Sequence, residues 1–167
     1  MPIPTWSSGQ ILTASDVNSY FVPGAAYKTA DTSRSFSATL TADPDLALPV
    51  AATAFYQFFC VLNFEGSSTV SQGLKWNFTV PSGTTLRYHA TFTDSSNNQV
   101  TGNMYTGAST PAGGTNGAGV LRGVTMNGTV YTGSTAGTMT LQWCQNVSES
   151  ATVTLHLQSY LYLQRIG

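Results

Sequence analysis

Residues 74–92 read LKWNFTVPSGTTLRYHATF, and this stretch decides the fold. Leu74, Trp76, Phe78 and Val80 alternate with Lys75, Asn77 and Thr79. A two-residue period marks a strand with one buried face, because successive side chains leave a pleated backbone on opposite sides. Pro81-Ser82-Gly83 breaks the run, and Leu86, Tyr88, Ala90 and Phe92 repeat it against Arg87, His89 and Thr91. Two such runs around a short Pro/Gly turn predict a β-hairpin.

The same pattern extends in both directions. Met139, Leu141 and Trp143 alternate with Thr140 and Gln142, while Ser35–Leu40, Leu46–Val50 and the weaker Val100–Thr106 also read as strands. Thr41–Pro44 reads as a turn, and Asp94–Asn98 as an exposed tip. Ala54–Phe64, AFYQFFCVLNF, is apolar on nearly both faces, as a strand is when covered on both sides. One of those covers can be a neighbouring subunit. Asn127-Gly128, the strongest short turn signal, predicts a hairpin between Val120–Met126 and Thr129–Thr132. Residues 107–119, GASTPAGGTNGAG, form the longest low-complexity loop, of a length that is usually functional or mobile.

Thr152–Ile166 reads as one long last strand. Val153, Leu155, Leu157, Leu161 and Leu163 share one side, with His156, Gln158, Tyr160, Tyr162 and Gln164 on the other. The His156, Tyr160 and Tyr162 face is predicted to be a subunit interface, where burial against a symmetry mate contributes about 25 cal/mol per Å². The alternative is single tyrosines exposed on a β surface. About eight or nine short strands, with no helical period after Phe21 and no internal repeat, predict an all-β fold. An antiparallel β-sandwich, jelly-roll-like, is the natural architecture.

Composition narrows the function. Only 8% of residues are charged, against about 25% in an average domain, and polarity comes from Ser, Thr, Asn, Gln and 16 Gly. Sparse charge suits a surface covered by identical copies or one wearing a neutral hydroxyl-and-amide coat. A net charge of −1 and six scattered Lys and Arg argue against nucleic-acid binding, which wants a clustered basic face. No run approaches roughly 18 apolar residues, so no membrane span is expected. The opening MPIPTWSSG lacks the basic and apolar regions of a secretory signal. Cys60 and Cys144 sit in apolar strand-like text, where a bridge across two sheets is one reading and buried free thiols, for a protein made in a reducing compartment, the favoured one.

Trp6–Phe21, WSSGQILTASDVNSYF, is the one stretch that reads as helical. Thr13 is a good N-cap, and Asp16, three residues on, can reach back to the Thr13 amide to complete a capping box. Leu12 and Val17 stand where a hydrophobic staple belongs, and Pro23-Gly24 stops the helix after about two turns. So short a helix is marginal alone. Carrying Val17, Tyr20 and Phe21, it reads as an anchor, the alternative being a helix packed on its own domain. Residues 22–33, VPGAAYKTADTS, read as a linker. The chain is thus divided into a docking arm, residues 1–33, and a sandwich domain, residues 34–167.

The segment Trp6-x-x-Gly9-x-x-Leu12-Thr13-Ala14-x-Asp16-Val17-Asn18 resembles the opening of many tailed-bacteriophage virion proteins: minor tail proteins, short fibres and head decoration proteins. Ala30-Asp31-Thr32-Ser33-Arg34 and Leu40-Thr41-Ala42-Asp43-Pro44-Asp45-Leu46 also resemble virion proteins of phages of actinobacteria. A weaker likeness runs through Leu74–Pro81 and Leu141-Gln142-Trp143. The resemblance implies assembly and surface roles, usually as a homotrimer, with no catalytic residues and a place in the virion after synthesis in the host cytoplasm. The arm residues Trp6, Gly9, Leu12, Thr13, Asp16, Val17, Tyr20 and Phe21 are then the assembly contacts. Their receiver is another virion protein, such as a major capsid or tail protein.

Little in the chain equips it for chemistry. His89 and His156 sit inside strand patterns, and Glu65 and Glu149 stand alone in loops, so no acid–base pair is proposed and the chain is not expected to be an enzyme. Asp43 and Asp45 bracket Pro44 as in a turn, although Asp-x-Asp is also the minimum of a Ca²⁺ site. No metal or cofactor is assigned. The second functional expectation is a carbohydrate-binding module contacting host-surface glycans. Trp76 and Trp143 share faces with Leu, Phe or Met and belong to the core, which leaves Tyr105, Tyr131 and the 107–119 loop as the possible glycan contacts.

Overall fold

A computed structural model describes residues 6–66 and 73–167, with the side chains of Ser19 and Tyr20 outside the description. One helix, α1 (Ala14–Tyr20), precedes the strands β1 (Gly24–Tyr27), β2 (Thr32–Arg34), β3 (Thr41–Val50), β4 (Phe55–Gly66), β5 (Leu74–Thr79), β6 (Thr85–Thr93) and β7 (Gln99–Val100). After them come β8 (Met104–Thr106), β9 (Ala112–Gly113), β10 (Arg122–Tyr131), β11 (Gly137–Gln145), β12 (Val153–Leu155) and β13 (Tyr160–Arg165). They form two antiparallel sheets packed face to face. The larger runs β1-β13-β4-β10-β6-β7, with β12, β2 and β8 attached, and the smaller runs β3-β11-β5-β9. The pairings β6/β10, β5/β11 and β4/β13 are nested and alternate between the sheets. That is the antiparallel sandwich the alternating patterns predict, with the nesting of a jelly roll.

The core lies between the sheets and is aromatic at its centre. Trp76 and Trp143 are fully buried. Trp76 meets Phe92 edge to face with ring centroids 5.0 Å apart, and Phe78 meets Phe58 at 5.5 Å and Tyr88 at 5.6 Å. Such pairs add about 0.5–1.5 kcal/mol each beyond the area they bury. Cys60 and Cys144 are buried free thiols, as expected, and burial raises the pKa of both.

These ring contacts overturn the predicted hairpin. β5 and β6 belong to opposite sheets, and the chain crosses the sandwich through the turn in which the Thr84 amide donates to the Pro81 carbonyl at 3.2 Å. A two-residue period says which face is buried but not which edge is paired. Here both faces are satisfied by packing on each other across the core.

The Asn127-Gly128 hairpin is likewise corrected, since β10 runs straight through both residues. A β-carbon on Gly128 would lie 2.2 Å from the Arg87 carbonyl oxygen and 2.6 Å from the Tyr88 α-carbon. The glycine is there to admit β6 and its inward Tyr88, the use of a strand-interior glycine where another backbone approaches.

Other boundaries shift for local reasons. Ser35–Leu40 is not a strand: Phe36 has φ +52° and is exposed, and its amide donates to the Glu149 carbonyl at 2.8 Å. The expected Thr41–Pro44 turn falls inside β3. On β11, Thr140 faces Ala47 and Gln142 faces Ala42, so Asp43–Leu46 bulge out of the ladder around Pro44, which has no amide hydrogen to give. The 107–119 loop folds back in part, with Pro111 and residues 113–115 buried, because Gly114 lets the chain pass against the Asp94 carbonyl.

Candidate functional site

The short helix and its capping box form as the sequence predicts. Thr13 Oγ1 accepts the Asp16 amide at 3.2 Å, and Asp16 Oδ2 accepts the Thr13 amide at 3.0 Å and its hydroxyl at 2.6 Å. These bonds, the hydroxyl's first, hold the Asp16 carboxyl below its ordinary pKa. Gly9 takes φ +83° in the turn closed by the Gln10 amide on the Ser7 carbonyl at 3.0 Å, which explains a glycine at that position. The Phe21 and Val22 amides both close on the Val17 carbonyl. The cap at Thr13 and the Val17 carbonyl are therefore satisfied locally, while the apolar side chains of the arm are only partly covered where α1 approaches β13. Ile11 is 83% exposed, Phe21 52% and Val22 54%, and Leu12 and Val17 are exposed as well. Trp6 is half-buried, with an indole N–H that has no hydrogen-bond partner among the described residues. The Tyr20 side chain lies outside the described residues.

Residues 22–33, expected as a linker, instead carry two strands of the larger sheet. β1 pairs with β13 along Gly24–Tyr27, and β2 with β12 along Thr32–Arg34. The reason is Lys28. Gly24, Ala26 and Lys28 point between the sheets, and the fully buried ammonium lies 3.1 Å from Asp43 Oδ2, 3.2 Å from Asp45 Oδ2 and 2.9 Å from Thr32 Oγ1. Asp43 also accepts the Trp143 indole N–H at 2.9 Å and the Asp45 and Leu46 amides at 3.0 and 3.2 Å. Lys28 thus takes the place between Asp43 and Asp45 that a cation would need. Beside it, Arg34 stacks 4.1 Å over the Trp143 ring and donates to the carbonyls of Thr41, Ala42 and Trp143. This segment clasps the open edge of the sandwich shut, joining β1 and β2 of one sheet to β3 and β11 of the other.

The outer face of the larger sheet divides in two. On β1, β13 and β4 it carries Tyr27, Tyr160, Tyr162, Phe59 and Val61, brought side by side by the pairings Tyr27–Tyr160, Tyr160–Val61 and Tyr162–Phe59. On β10 and β6 it carries Thr125, Asn127, Thr129, Arg87, His89 and Thr91. Tyr160 and Tyr162 thus share a half-buried face, as predicted. His156 does not join them, and its placement on one strand with them is corrected: a turn with Gln158 at φ +69° separates β12 from β13. The buried Ser159 stabilises that turn by donating to the His156 carbonyl at 2.8 Å. His156 Nδ1 instead lies 3.1 Å from Asp31 Oδ2, and its Nε2 lies 3.7 Å from Glu65 Oε1. Asp31 also accepts the Leu157 amide at 2.7 Å, the main reason its carboxyl titrates below the usual range.

The two tyrosines expected as glycan contacts part company. Tyr105 turns inward onto Tyr88 at 5.5 Å and is packed against the core. Tyr131 is 51% exposed, edge to face with Phe55 at 6.3 Å. Sequence reading missed Lys28 and Arg34. The available signal was the Gly24-Ala26-Lys28 alternation opposite an Asp-Pro-Asp in a chain with only seven acidic residues.

Fold and surfaces together define an antiparallel β-sandwich with an exposed, capped amino-terminal helix. No family model matches the chain, and no curated protein matches it. Among solved structures it is similar to a chain in the tripod (BppUct-A-L) from the baseplate of bacteriophage Tuc2009, with TM-score 0.36 and 11% identity over 96% of this chain and 72% of that one. It is also similar to chains in structures of infectious bursal disease virus. For the Gx strain the TM-score is 0.25 at 10% identity over 99% of this chain and 47% of that one. For the Gt strain it is 0.21 at 12% identity over 100% and 43%. The chain spans under half the length of these last two, and likenesses at such TM-scores carry no functional argument.

Proposed function

We propose that this chain is a structural protein of a phage particle. It docks on another virion protein, major capsid or tail, through Trp6–Phe21. It assembles as a homotrimer that displays the sandwich outward, with the aromatic half of the larger sheet's outer face, Tyr160 and Tyr162 included, between subunits. The observation that carries the docking is the mismatch within the arm. The N-terminus of α1 carries a capping box made by its own residues, yet Ile11, Phe21 and Val22 are more than half exposed, with Leu12 and Val17 exposed beside them. A helix this short is stabilised chiefly by burying an apolar face, and although α1 approaches β13 of its own sandwich, Ile11, Phe21 and Val22 stay more than half exposed there. The resemblance of the arm to virion proteins supplies the class of partner. A small sandwich on a short arm suits tiling of a capsid better than a tail tip, so we favour a head decoration or head-fibre role, without enzymatic activity, nucleic-acid binding or membrane insertion.

Removal of residues 1–21 tests the reading. The truncated protein is expected to fold, stay soluble and fail to join particles, and a truncated protein that incorporates at full copy number overturns the anchor. A mass measurement on the purified full chain tests the trimer. Copies per particle separate head from tail, hundreds indicating the former and a handful the latter.

A further inference from the structure

The polar half of the outer sheet face has the makings of a ligand site, which lies beyond the particle-building role and does not depend on the arm. We propose that it binds an acidic saccharide, with Tyr131 stacking on a sugar ring and Arg87 pairing with a carboxylate or phosphate that the sugar carries.

The register of β10 sets out the parts. Tyr131 faces Phe55 and Thr85, Thr129 faces Gln57 and Arg87, and Asn127 faces Phe59 and His89. Tyr131, Thr129 and Asn127 therefore stand in a row on one face, about 7 Å apart at two residues per step. Over Arg87, His89, Asn127 and Thr129, with Gln57 and Met104 beside them, lies a cleft of about 350 Å³, within the range of small-ligand sites. Tyr131 is held by the Phe55 ring, so the platform is oriented before a ligand arrives.

Charge selects the ligand class. Arg87 is exposed and has no hydrogen-bond or ion-pair partner among the described residues, whereas Lys28, Arg34 and Arg122 are engaged by Asp43, by backbone carbonyls and by Asn97. Among the described residues, no Asp or Glu lines the cleft. A free guanidinium pairs with a carboxylate or phosphate through two parallel hydrogen bonds. One such group is too few for nucleic acid, which needs a row of phosphate contacts. A peptide strand would need an open sheet edge, and β10 and β6 are paired on both sides here. Beside the apolar Met104 and Ile166, the lining offers the amides of Gln57 and Asn127, the His89 imidazole and the Thr129 hydroxyl, which match the hydroxyls of a sugar.

Calorimetric titration of the full chain tests this with a galacturonate hexamer, its methyl ester, a sugar-phosphate polymer and polyglutamate. Binding of the galacturonate or the sugar-phosphate polymer is expected, with carboxylate and phosphate charge told apart by which of the two binds. The ester, Arg87→Ala and Tyr131→Ala should each weaken galacturonate binding roughly tenfold or more, or the two variants the polymer's if only that binds, while Arg87→Lys falls between. Thr91→Ala, on the same face outside the cleft, should bind as the parent does. Thermal melts of the variants should match the parent, since both side chains are exposed. Undiminished binding by Arg87→Ala, polyglutamate binding as tightly as the saccharide, or no binding of either acidic saccharide overturns the proposal.

Discussion

Residues 6–22 and 24–34 are neighbours in sequence and opposite in kind. The amino-terminal segment satisfies its polar groups within itself, by Thr13 and Asp16, and leaves its apolar side chains in solvent. The segment after it is mostly Gly, Ala, Ser and Thr, with Tyr27, Lys28, Asp31 and Arg34 among them, yet it joins the two sheets through Lys28 and Arg34. The contrast teaches that an ordered, readable local motif need not contribute to the stability of its own domain, and that a featureless stretch can. What separates them is distance: the hydrogen bonds within residues 6–22 span three to five residues, and those of residues 24–34 reach from Lys28 to Asp43 and from Arg34 to Trp143.

The largest expected effect lies at the clasp. Lys28→Ala leaves Asp43 buried without its counter-ion and should cost about 3–5 kcal/mol, read from urea unfolding. A loss below about 1 kcal/mol would make this segment the linker it resembles. Arg34→Ala removes a cation–π contact and backbone hydrogen bonds at a less buried site, so a smaller loss of about 2 kcal/mol is expected by the same measurement. Truncation at residue 21 should then leave unfolding of the sandwich within about 0.5 kcal/mol of the full chain. A larger drop would show the arm to be packed on its own domain. Thr13→Ala should melt α1 alone, with about 1 kcal/mol lost from the helix and no change in the global transition, seen as loss of protection of the Asp16 amide in hydrogen exchange.

The smallest effect is on pH. The Asp16 carboxyl titrates below its ordinary value because Thr13 bonds its charged form, so the cap is present above the unfolded carboxyl pKa, near 3.9. It is lost as pH falls through the lower, folded value. Amide shifts of Thr13 and Asp16 followed by NMR down to acid should move together there, with the sandwich signals unchanged. Separate transitions for the two amides would mean that the box is not formed.

Much of the molecule was legible because its signals are local or periodic. The capping box needs only Thr13 and Asp16 at their spacing, and the alternation of Leu74, Trp76 and Phe78 or of Met139, Leu141 and Trp143 put those side chains in the core. The misreadings share a different character. Asn127-Gly128 carries the chemistry of a turn, but its glycine answers the approach of β6 from elsewhere in the chain. The face predicted for His156, Tyr160 and Tyr162 assumed an unbroken strand, and Ser159 with Gln158 at positive φ breaks it. Tyr105 and Tyr131 were indistinguishable in sequence until cross-strand register turned one inward and left the other outside.

By itself, then, the sequence determined the local geometry of the arm, the all-β class and which side of most strands is buried, because those follow from bonds within a few residues and from the two-residue pleat. Only the tertiary structure decided which edges pair, that β5 and β6 lie in opposite sheets, and that Lys28 belongs to the core. Backbone ladders form between any two extended segments, so partner choice rests on how distant rings and charges fit together once all the strands are in place.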